Sequence, residues 1–247
     1  MSNSPCNRNL TTLRNILDIN DVISIIIPAL NEAGVIERAI ASTTPSVNTE
    51  VIVVDGGSSD NTVLLAQNMG AKVITSLAGR AHQMNLGAQT ATGAILLFLH
   101  ADTFLPSGFD ALVRDALRSD QQRPIAGAFP LKIDGNAPKL RWVEWGVNGR
   151  SRFFQMPYGD QALFLRADTF HKIGGFPALP IMEDFELVRR LKRLGKIAIV
   201  SAPVVTSARR WQERGVFVTT VINQMVILGY FFGVNGERLK KIYRCKR

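Results

Sequence analysis

The first half of the chain contains a series of apolar, mostly β-branched runs in which polar residues do not alternate. Uninterrupted runs of this kind are typical of strands that are buried on both faces. The stretches between them have helical spacing, and Ser59 or Asp60 is the expected N-cap of one helix. The predicted strands lie in VISIIIPALNE (Val22 to Glu32), EVIVVDGGSSDNT (Glu50 to Thr62), AKVITS and GAILLFLHAD, and the predicted helices run over 32–42, 60–69 and 80–90.

Strand and helix therefore alternate at the spacing of βαβ units, which predicts a parallel sheet covered by helices on both faces. The pattern changes after about residue 120. There, PIAGAFPLKI and IAIVSAPVV each predict one strand, and LRWVEWGVNGRSRFF predicts a basic, aromatic helix. YGDQALFLRADTFHKIGGF predicts a turn, a strand and a short helix, and MEDFELVRRLKRLG predicts a helix that ends at Gly195. No repeat or low-complexity linker separates the halves, so we expect them to share one sheet.

The uncharged stretch from Val216 to Asn235 differs from the rest of the chain. Its length alone is sufficient to span a bilayer, because a helix rises about 1.5 Å per residue. However, Thr219, Thr220, Asn223 and Gln224 share one helical face, which favours an amphipathic helix. Three interpretations stay open: a helix at a membrane surface, a helix packed on the rest of the protein or across a dimer, and a true membrane span.

Composition adds information mainly through charge. With 247 residues and 46% hydrophobic content, the chain is long enough to bury a core. Its formal net charge of +9 favours an anionic partner, such as a phosphorylated substrate, an acidic lipid surface or nucleic acid. The cationic residues are grouped near 189–196, 209–214 and 238–247, and each group alone is equally well explained as a solvated face.

Cysteine usage and the N-terminus indicate the compartment. Cys6 and Cys245 form neither a disulfide framework nor a metal site, which fits a reducing environment. Residues 1–20 lack the apolar segment of a secretory signal and predict a polar leader.

Candidate chemistry is concentrated where the predicted strands end, because ligands of open α/β sheets bind beyond the carboxyl ends of the strands. These ends carry Pro28 to Glu32, Asp55 to Ser58 and His100 to Asp102. The first strand is followed by neither the G-x-G-x-x-G of dinucleotide-binding folds nor a P-loop. The glycine pair after Asp55 does not suit a phosphate, since a carboxylate precedes it. Asp55 suits hydrogen bonds from a base or ribose, or an Asx turn.

Taken in order, ISIIIPALNE, EVIVVDGGSSDNT, GRAHQMNLGA, ILLFLHAD and GGF…MEDFEL resemble the motifs of glycosyltransferase family 2. The resemblance covers about residues 22–210, and the set is specific although no single motif is. It is greatest to the small bacterial transferases called radical-SAM/selenodomain-associated transferase 2. It implies an α/β fold of GT-A type, with a mostly parallel central sheet and helices on both faces. A C-terminal hydrophobic amphipathic helix is expected in addition.

The resemblance also implies roles for the matching positions. Asp102 would be the metal-binding carboxylate of a D-x-D motif, and Asp184 of the Glu183-Asp184 pair would be the catalytic base. Asn85 and Gly87 would support the loop that carries Arg80. The implied nucleotide-binding residues are Pro28, Ala29, Asn31, Glu32, Asp55, Arg80, His100 and Asp102, and the implied acceptor-binding residues are Gly159, Asp160 and Gln161.

The D-x-D motif departs from the family pattern, because it contains His100-Ala101-Asp102 here. A neutral imidazole carries no negative charge, so His100 would weaken metal binding or change the preferred metal. His100 can also hydrogen-bond a ribose, ligate a metal, or act only as a structural residue at the strand end.

Glycosyl transfer, the chemistry that the resemblance implies, requires a metal-binding carboxylate and a general base. Loss of a nucleoside diphosphate develops negative charge on phosphate, which Mg2+ or Mn2+ neutralises, and Mg2+ needs only one or two carboxylates besides the phosphates. A carboxylate at Asp184 can take the proton of an acceptor hydroxyl, and a helix N-terminus favours its ionised form. A base and a leaving group on opposite faces predict inversion at the anomeric carbon. Without the resemblance, a helix-terminal charge explains Asp184 equally well.

Other cationic and aromatic residues have two interpretations each. Arg209 and Arg210 follow the last predicted strand and suit a diphosphate or an anionic acceptor, or form a basic surface pair. Trp142, Trp145 and Arg150 can stack on an acceptor sugar or lipid, although such aromatics more often belong to a helix core or interface.

These expectations divide the chain into a polar leader (1–20), a nucleotide-binding half (21–120), an acceptor-binding half (121–210) and a C-terminal amphipathic helix with a basic tail (211–247). The expected partners are a nucleotide-diphosphate sugar, first of all a UDP-sugar, and a carbohydrate or lipid-linked acceptor, but not nucleic acid. Residues 216–234 are expected to contact a membrane or a second copy of the chain. The expected location is the cytoplasm, at the inner face of the cell membrane.

Two rival functions remain. A sugar nucleotidyltransferase would need a glycine-rich, basic loop after the first strand, which PALNEAG is not. A non-catalytic protein that binds nucleotide and a membrane surface is kept open by His100.

Overall fold

A mostly parallel sheet forms the centre of the computed structural model, which describes residues 21–118 and 124–244. Its seven strands are β1 (Ile23–Ala29), β2 (Thr49–Asp55), β3 (Lys72–Thr75), β4 (Ile95–Phe98), β6 (Ala126–Ala128), β8 (Phe164–Arg166) and β9 (Ile197–Ile199). Their order in the sheet is β3-β2-β1-β4-β8-β6-β9. The strands β1 to β4 are parallel to one another, as are β6 and β9, whereas β8 is antiparallel to both of its neighbours, β4 and β6. The predicted α/β fold is confirmed.

The uninterrupted apolar runs result from burial on both faces of the sheet. In β1, Ile25 and Ile27 pack into one core cluster and Ile26 into the cluster on the opposite face, and all three are completely buried. In β4, Leu97 and Leu96 divide between the same two clusters. Burying such a side chain contributes about 1.5–3 kcal/mol, so each position of the run is apolar.

Helices cover both faces of the sheet. The helices before the second half are α1 (Ile36–Ala41), α2 (Thr62–Asn68), α3 (Arg80–Thr90) and α4 (Phe109–Arg118). Those that follow are α5 (Pro138–Phe154), α6 (Ala167–Lys172) and α7 (Glu183–Leu194), with a 3-10 turn at Gly159–Gln161. The N-cap of α2 is Asn61, so the predicted cap at Ser59 or Asp60 is wrong by one or two residues. The Asp60 carboxylate still accepts the Thr62 N–H at 3.0 Å. The predicted C-cap Gly195 is confirmed.

Two predicted strands are each divided at a proline, so these predictions are wrong in one respect. PIAGAFPLKI contains β6 and β7 (Leu131–Asp134), separated by Pro130, and IAIVSAPVV contains β9 and β10 (Val204–Ser207), separated by Pro203. Proline lacks the N–H that a strand ladder needs. The strands after the prolines join β5 (Thr103–Phe104) in a second sheet of order β5-β10-β7. This small sheet begins directly after His100 and Asp102.

The chain closes with α8 (Arg209–Arg214), α9 (Val216–Phe231) and α10 (Gly236–Arg244). Helices α9 and α10 pack closely as a hairpin, since a Cβ atom at Gly229 would lie 2.7 Å from Leu239 Cδ2. None of the described helices combines the length and the hydropathy that a membrane-spanning segment requires. The predicted polar face of α9 is divided, because Thr219 is buried against the protein while Gln224 is exposed.

Candidate active site

Two adjoining cavities open at the carboxyl ends of β1 and β4. The large cavity has a volume of about 600 Å³ and the small cavity about 220 Å³. Arg80, His100, Asp102, Ile181 and Tyr243 line both cavities and therefore mark their boundary. A ligand that extends from one cavity into the other passes these side chains.

The structure brings most of the sequence-predicted site residues to these cavities. The large cavity is lined by Pro28, Ala29, Glu32, Arg80, His100, Asp102 and Glu183, and the small cavity by Arg80, His100, Asp102, Asp160 and Asp184. Asn31, Asp55, Gly159, Gln161 and Arg209 line neither cavity. The Arg210 side chain lies outside the described part of the structure, as do the predicted leader (1–20), both cysteines and the predicted boundary at residue 120.

Asp55 and Asn31 organise the loops behind the large cavity. The Asp55 carboxylate accepts hydrogen bonds from the N–H groups of Gly57 at 2.9 Å and Ser58 at 3.0 Å, which forms an Asx turn. Asn31 has a left-handed backbone (φ 56°), and its side-chain oxygen accepts the Ser59 N–H at 2.9 Å. The two loops after β1 and β2 are thereby joined. The predicted contact of Asp55 with a base stays a prediction.

An ion pair joins the two walls of the large cavity. Arg80 Nε at the start of α3 lies 2.7 Å from Glu183 Oε1 at the start of α7. Burial raises the pKa of Glu183, while Arg80 opposes this shift. Burial would lower the pKa of Arg80, but Glu183, Tyr243 and Asp184 together outweigh it, and the net shift is upward. Arg80 is therefore a permanent cation at the boundary of both cavities, with 39% of its side chain exposed.

The Asp184 carboxylate is held by backbone N–H groups. Its Oδ2 accepts the Gly159 N–H at 2.7 Å, and its Oδ1 accepts the Phe185 N–H at 2.7 Å. A Cβ atom at Gly159 would lie 2.9 Å from both Asp184 Oδ2 and His100 Nε2. A side chain at position 159 would therefore have to displace the Asp184 carboxylate and the His100 ring. The predicted acceptor residue Gly159 acts here by positioning Asp184.

His100 and Asp102 are fixed between the two sheets. The Leu99 N–H donates to Ile26 O at 3.0 Å, and the Ser207 N–H donates to Asp102 O at 2.9 Å. Burial and the neighbouring Arg80 lower the pKa of His100, which favours the neutral imidazole.

The surroundings of Asp102 bear on metal binding. No described side chain forms an ion pair or hydrogen bond with its carboxylate, so its oxygen atoms are available to the cavities. Within the described ranges, no three His, Cys, Asp or Glu side chains form a metal-binding cluster. A divalent cation here would take one ligand from Asp102 and others from a bound diphosphate, which suits Mg2+ and Mn2+. The residues present fit such an ion.

Asp160 and Gln161 come directly after Gly159, but their side chains have different surroundings. Burial raises the pKa of Asp160 to about 6, Arg150 opposes the shift, and Asp184 and Asp102 add to it. Gln161 is completely buried, and its amide donates to Phe129 O at 2.9 Å and accepts from Ser151 Oγ at 2.7 Å. Gln161 therefore holds the turn in place, and Asp160 is the member of this motif that reaches the small cavity.

Arg209 and Asn85 contribute by holding loops together. Arg209 Nη2 lies 3.1 Å from Glu32 Oε2 and joins α8 to the loop after β1. The Asn85 side chain donates to Phe176 O at 2.8 Å and accepts the Phe176 N–H at 2.9 Å. This pair fixes the segment that leads to Pro180 and Ile181 in the cavity walls.

Several cavity residues were missed by the sequence reasoning because they come from the C-terminal helices. Trp211 of α8 and Asn223 of α9 line the small cavity, and Glu237, Lys240 and Tyr243 of α10 line the large one. The three α10 residues recur every three positions and share one helical face. That spacing was available in the sequence, but nothing in it indicates that this face meets the site.

Known glycosyltransferases are similar to this chain in sequence. The profile of glycosyl transferase family 2 matches residues 24–178. A PGL/p-HBAD biosynthesis glycosyltransferase of Mycobacterium bovis is 32% identical over 165 residues, which are 63% of this chain and 63% of that protein. A 4,4'-diaponeurosporenoate glycosyltransferase of Staphylococcus haemolyticus is 36% identical over 122 residues, 45% of this chain and 32% of that protein. The chain thus spans less than two thirds of the length of these curated relatives.

Solved structures share the fold. One is S. aureus TarS 1-349 in complex with UDP-GlcNAc, with a TM-score of 0.59, 17% identity, and coverage of 75% of this chain and 58% of that one. Another is glucosyl-3-phosphoglycerate synthase from Mycobacterium tuberculosis with Mn2+, UDP and glucosyl-3-phosphoglycerate, with a TM-score of 0.56, 22% identity, and coverage of 76% and 72%. At these identities the likeness concerns the GT-A fold. Because the family profile covers more than half of the chain, the protein belongs to glycosyl transferase family 2.

Proposed function

We propose that the protein transfers a sugar from a nucleotide-diphosphate donor, a UDP-sugar first among the candidates, to a hydroxyl group of an acceptor. The observation that carries the proposal is the junction of the two cavities. A permanent cation, Arg80, and an available carboxylate, Asp102, lie where the cavities meet, and the backbone-held Asp184 lies in the small cavity. A donor that bridges the cavities would place its reacting bond between these groups.

The large cavity suits the nucleoside diphosphate. Arg80 and Lys240 line this cavity but are paired with Glu183 and Glu237, so much of the positive charge for the phosphates would come from Mg2+ or Mn2+. Asp102 would hold that ion together with the phosphates. Such an ion, when bound, acts as a Lewis acid that neutralises charge on the leaving diphosphate. In support, the mycobacterial glucosyl-3-phosphoglycerate synthase was solved with UDP and either Mn2+ or Mg2+.

Asp184 would be the general base of the transfer. Its carboxylate takes the proton of the acceptor hydroxyl as the hydroxyl oxygen attacks the anomeric carbon and the bond to the diphosphate breaks. The base and the diphosphate then lie on opposite sides of the sugar, so the proposed reaction inverts the anomeric configuration. Glu183 would orient Arg80 rather than accept a proton, because the two form an ion pair.

Contact with a membrane is a further part of the proposal. The outward side of α9 carries exposed apolar side chains: Phe217 is 80% and Leu228 56% exposed, and the C-cap residue Phe232 is 83% exposed. The neighbouring α10 exposes Arg238 and Lys241, whose charge complements anionic headgroups. We propose that this face lies on an anionic bilayer at the inner face of the cell membrane, where a lipid-linked acceptor would be available. The more specific resemblance to the selenodomain-associated transferases remains a hypothesis.

The experiment that tests the proposed function is calorimetric titration with UDP, GDP, CDP and dTDP, each with and without Mg2+ or Mn2+. We expect one nucleotide to bind only with metal, and the variant Asp102→Asn to lose this metal dependence. The control Asp168→Asn changes an exposed carboxylate of α6 and should bind as the unaltered protein does. Metal-dependent binding without turnover of any donor would favour a non-catalytic binding protein. Absence of binding by all four nucleotides would contradict the proposal.

A further inference from the structure

The small cavity has polar side chains that no described residue satisfies. One buried polar atom in each of Asp160, Trp211 and Asn223 lacks a hydrogen-bond partner: Asp160 Oδ1, Trp211 Nε1 and Asn223 Oδ1. All three residues line the small cavity beside Asp184. Buried polar groups in native structures are almost always paired, and an unpaired one costs about 1–3 kcal/mol. Three of them around one cavity therefore indicate a ligand that pairs with them.

The donor or acceptor character of the three unpaired atoms indicates the chemical class of the ligand. The Asp160 carboxylate and the Asn223 carbonyl accept hydrogen bonds, whereas the Trp211 indole only donates. Hydroxyl groups do both, so a molecule with several hydroxyls can satisfy all three positions. The remaining wall is apolar and aromatic, and includes Phe185 and Val226. A sugar ring has this combination of hydroxyl edges and C–H faces.

Other classes of ligand fit less well. An anion would meet three carboxylates of the small cavity, those of Asp102, Asp160 and Asp184. The arginine that lines the cavity, Arg80, is already paired with Glu183. A purely apolar chain would leave the three polar groups unpaired.

We propose that Asp160, Trp211 and Asn223 form a subsite for the hydroxyl groups of a neutral sugar ring, in which Asn223 determines the hydroxyl pattern that is accepted. This inference rests on the proposed function, which supplies two sources for such a ring: the sugar of the donor and the sugar of the acceptor. Trp211 and Asn223 lie beyond residues 24–178, the part of the chain that the family profile matches. The C-terminal helices would therefore contribute specificity of this chain's own.

The chain offers a matched control for Asn223. The neighbouring residue Gln224 carries the same amide group but is exposed and does not line the small cavity. Asn223→Ala removes the amide from the cavity, and Gln224→Ala removes an amide from the surface of the same helix. Trp211→Phe is a second test variant, because it keeps an aromatic ring and removes only the N–H donor.

The experiment measures binding of methyl glycosides of glucose, galactose, mannose and N-acetylglucosamine by saturation-transfer NMR, to protein with and without UDP and Mg2+. We expect the unaltered protein to prefer one glycoside, and Asn223→Ala and Trp211→Phe each to weaken its binding about 5-fold, as the loss of one hydrogen bond predicts. Asn223→Ala should also reduce the preference between epimers. Gln224→Ala should bind as the unaltered protein does.

The outcomes of this experiment distinguish a donor sugar from an acceptor sugar, and they test the subsite separately from the transferase function. Displacement of the glycoside by a UDP-sugar but not by UDP would assign the subsite to the donor sugar, and simultaneous binding would assign it to the acceptor. Glycoside binding without nucleotide binding would support the subsite while contradicting the transferase proposal. The subsite is overturned if no glycoside binds, or if Asn223→Ala and Trp211→Phe, both folded by thermal melting, bind with unchanged affinity.

Discussion

At the scale of single residues, the proposed general base is held by the backbone of its neighbours rather than by their side chains. Asp184 accepts N–H groups of Gly159 and Phe185, and it lies in the first turn of α7, where the helix dipole favours negative charge. Backbone donors cannot be withdrawn by a rotamer change. The carboxylate is therefore held in one orientation toward the small cavity.

We expect Asp184→Asn to abolish transfer while leaving the nucleotide site intact. Asparagine keeps the size of the side chain and an acceptor for Gly159, but it cannot take a proton. Loss of a general base typically lowers the rate about 10²–10⁴-fold. Turnover with a UDP-sugar and calorimetric binding of UDP measure the two effects. Unchanged turnover would show that another group removes the proton.

Asp160 predicts a dependence of stability on pH in the metal-free protein. Its carboxyl has a pKa of about 6 in the folded state against 3.8 as the ordinary value, so the folded state binds the extra proton between these pH values. The free energy of unfolding therefore falls as pH rises through this window. Asp160→Asn removes the cost of the buried charge, and should stabilise the protein by on the order of 1–3 kcal/mol at pH 7.

Urea unfolding of both proteins at pH 4 and pH 7 checks this prediction. The difference between them should be largest at pH 7 and should shrink toward pH 4, where Asp160 is protonated in the folded protein. A difference that is the same at both pH values would contradict the assigned pKa shift.

At the scale of elements, close packing decides which small residues are essential. In β6, a Cβ atom at Gly127 would lie 2.2 Å from Phe164 Cζ of the neighbouring β8. Phe164 is completely buried, so it has no space into which to retreat. In α5, by contrast, nothing lies within 4 Å of the position of a Cβ at Gly146.

The pair Gly127→Ala and Gly146→Ala should therefore have opposite effects. Overpacking at Gly127 is expected to lower the free energy of unfolding by about 1–3 kcal/mol. Alanine in the helix at Gly146 is expected to raise it by about 0.5–1 kcal/mol, because alanine has the higher helix propensity. Denaturant titration of both variants measures the two changes. Equal effects of the same sign would contradict the packing described for β6 and β8.

At the scale of the whole molecule, the C-terminal hairpin links the site to an exposed apolar surface. One side of α9 carries Asn223 and Val226 into the small cavity, while the other side exposes Phe217 and Leu228. The end of α9 also contacts α7, the helix that begins with Glu183 and Asp184, since Tyr230 OH donates to Glu186 Oε2 at 2.9 Å. A surface bound by the outer side of α9 would therefore lie close to the mouth of the site.

We expect the protein to sediment with vesicles that contain phosphatidylserine, and Leu228→Ser combined with Phe217→Ser to reduce the bound fraction several-fold. Leu64→Ser on α2 is the matched control, because Leu64 and Leu228 are both 56% exposed. Raised salt should weaken binding, since part of it is electrostatic. If the double variant instead changes the molecular mass measured by light scattering, the face joins two copies of the chain.

The sequence by itself determined the elements that local pattern controls. The apolar runs of β1 and β4 indicated strands buried on both faces, and the motifs around Asp102 and Asp184 indicated the family. These features depend on residues close together in the chain, and so does the C-cap at Gly195. Pro130 and Pro203 were also visible, but a break in a ladder does not tell which sheet the next strand joins.

The tertiary structure decided how distant segments meet. It showed that Asn31, Asp55 and Gln161 organise loops while Arg80 and Asp102 face the cavities, and that Trp211, Asn223 and Tyr243 complete the walls. It also turned Thr219, Asn223 and Val226 of α9 inward, while Phe217 and Leu228 of the same helix are exposed. A helical pattern determines which residues share a face, but the face that is buried depends on what packs against it. Here the buried face meets a cavity with both polar and apolar walls, so hydrophobicity alone did not identify it.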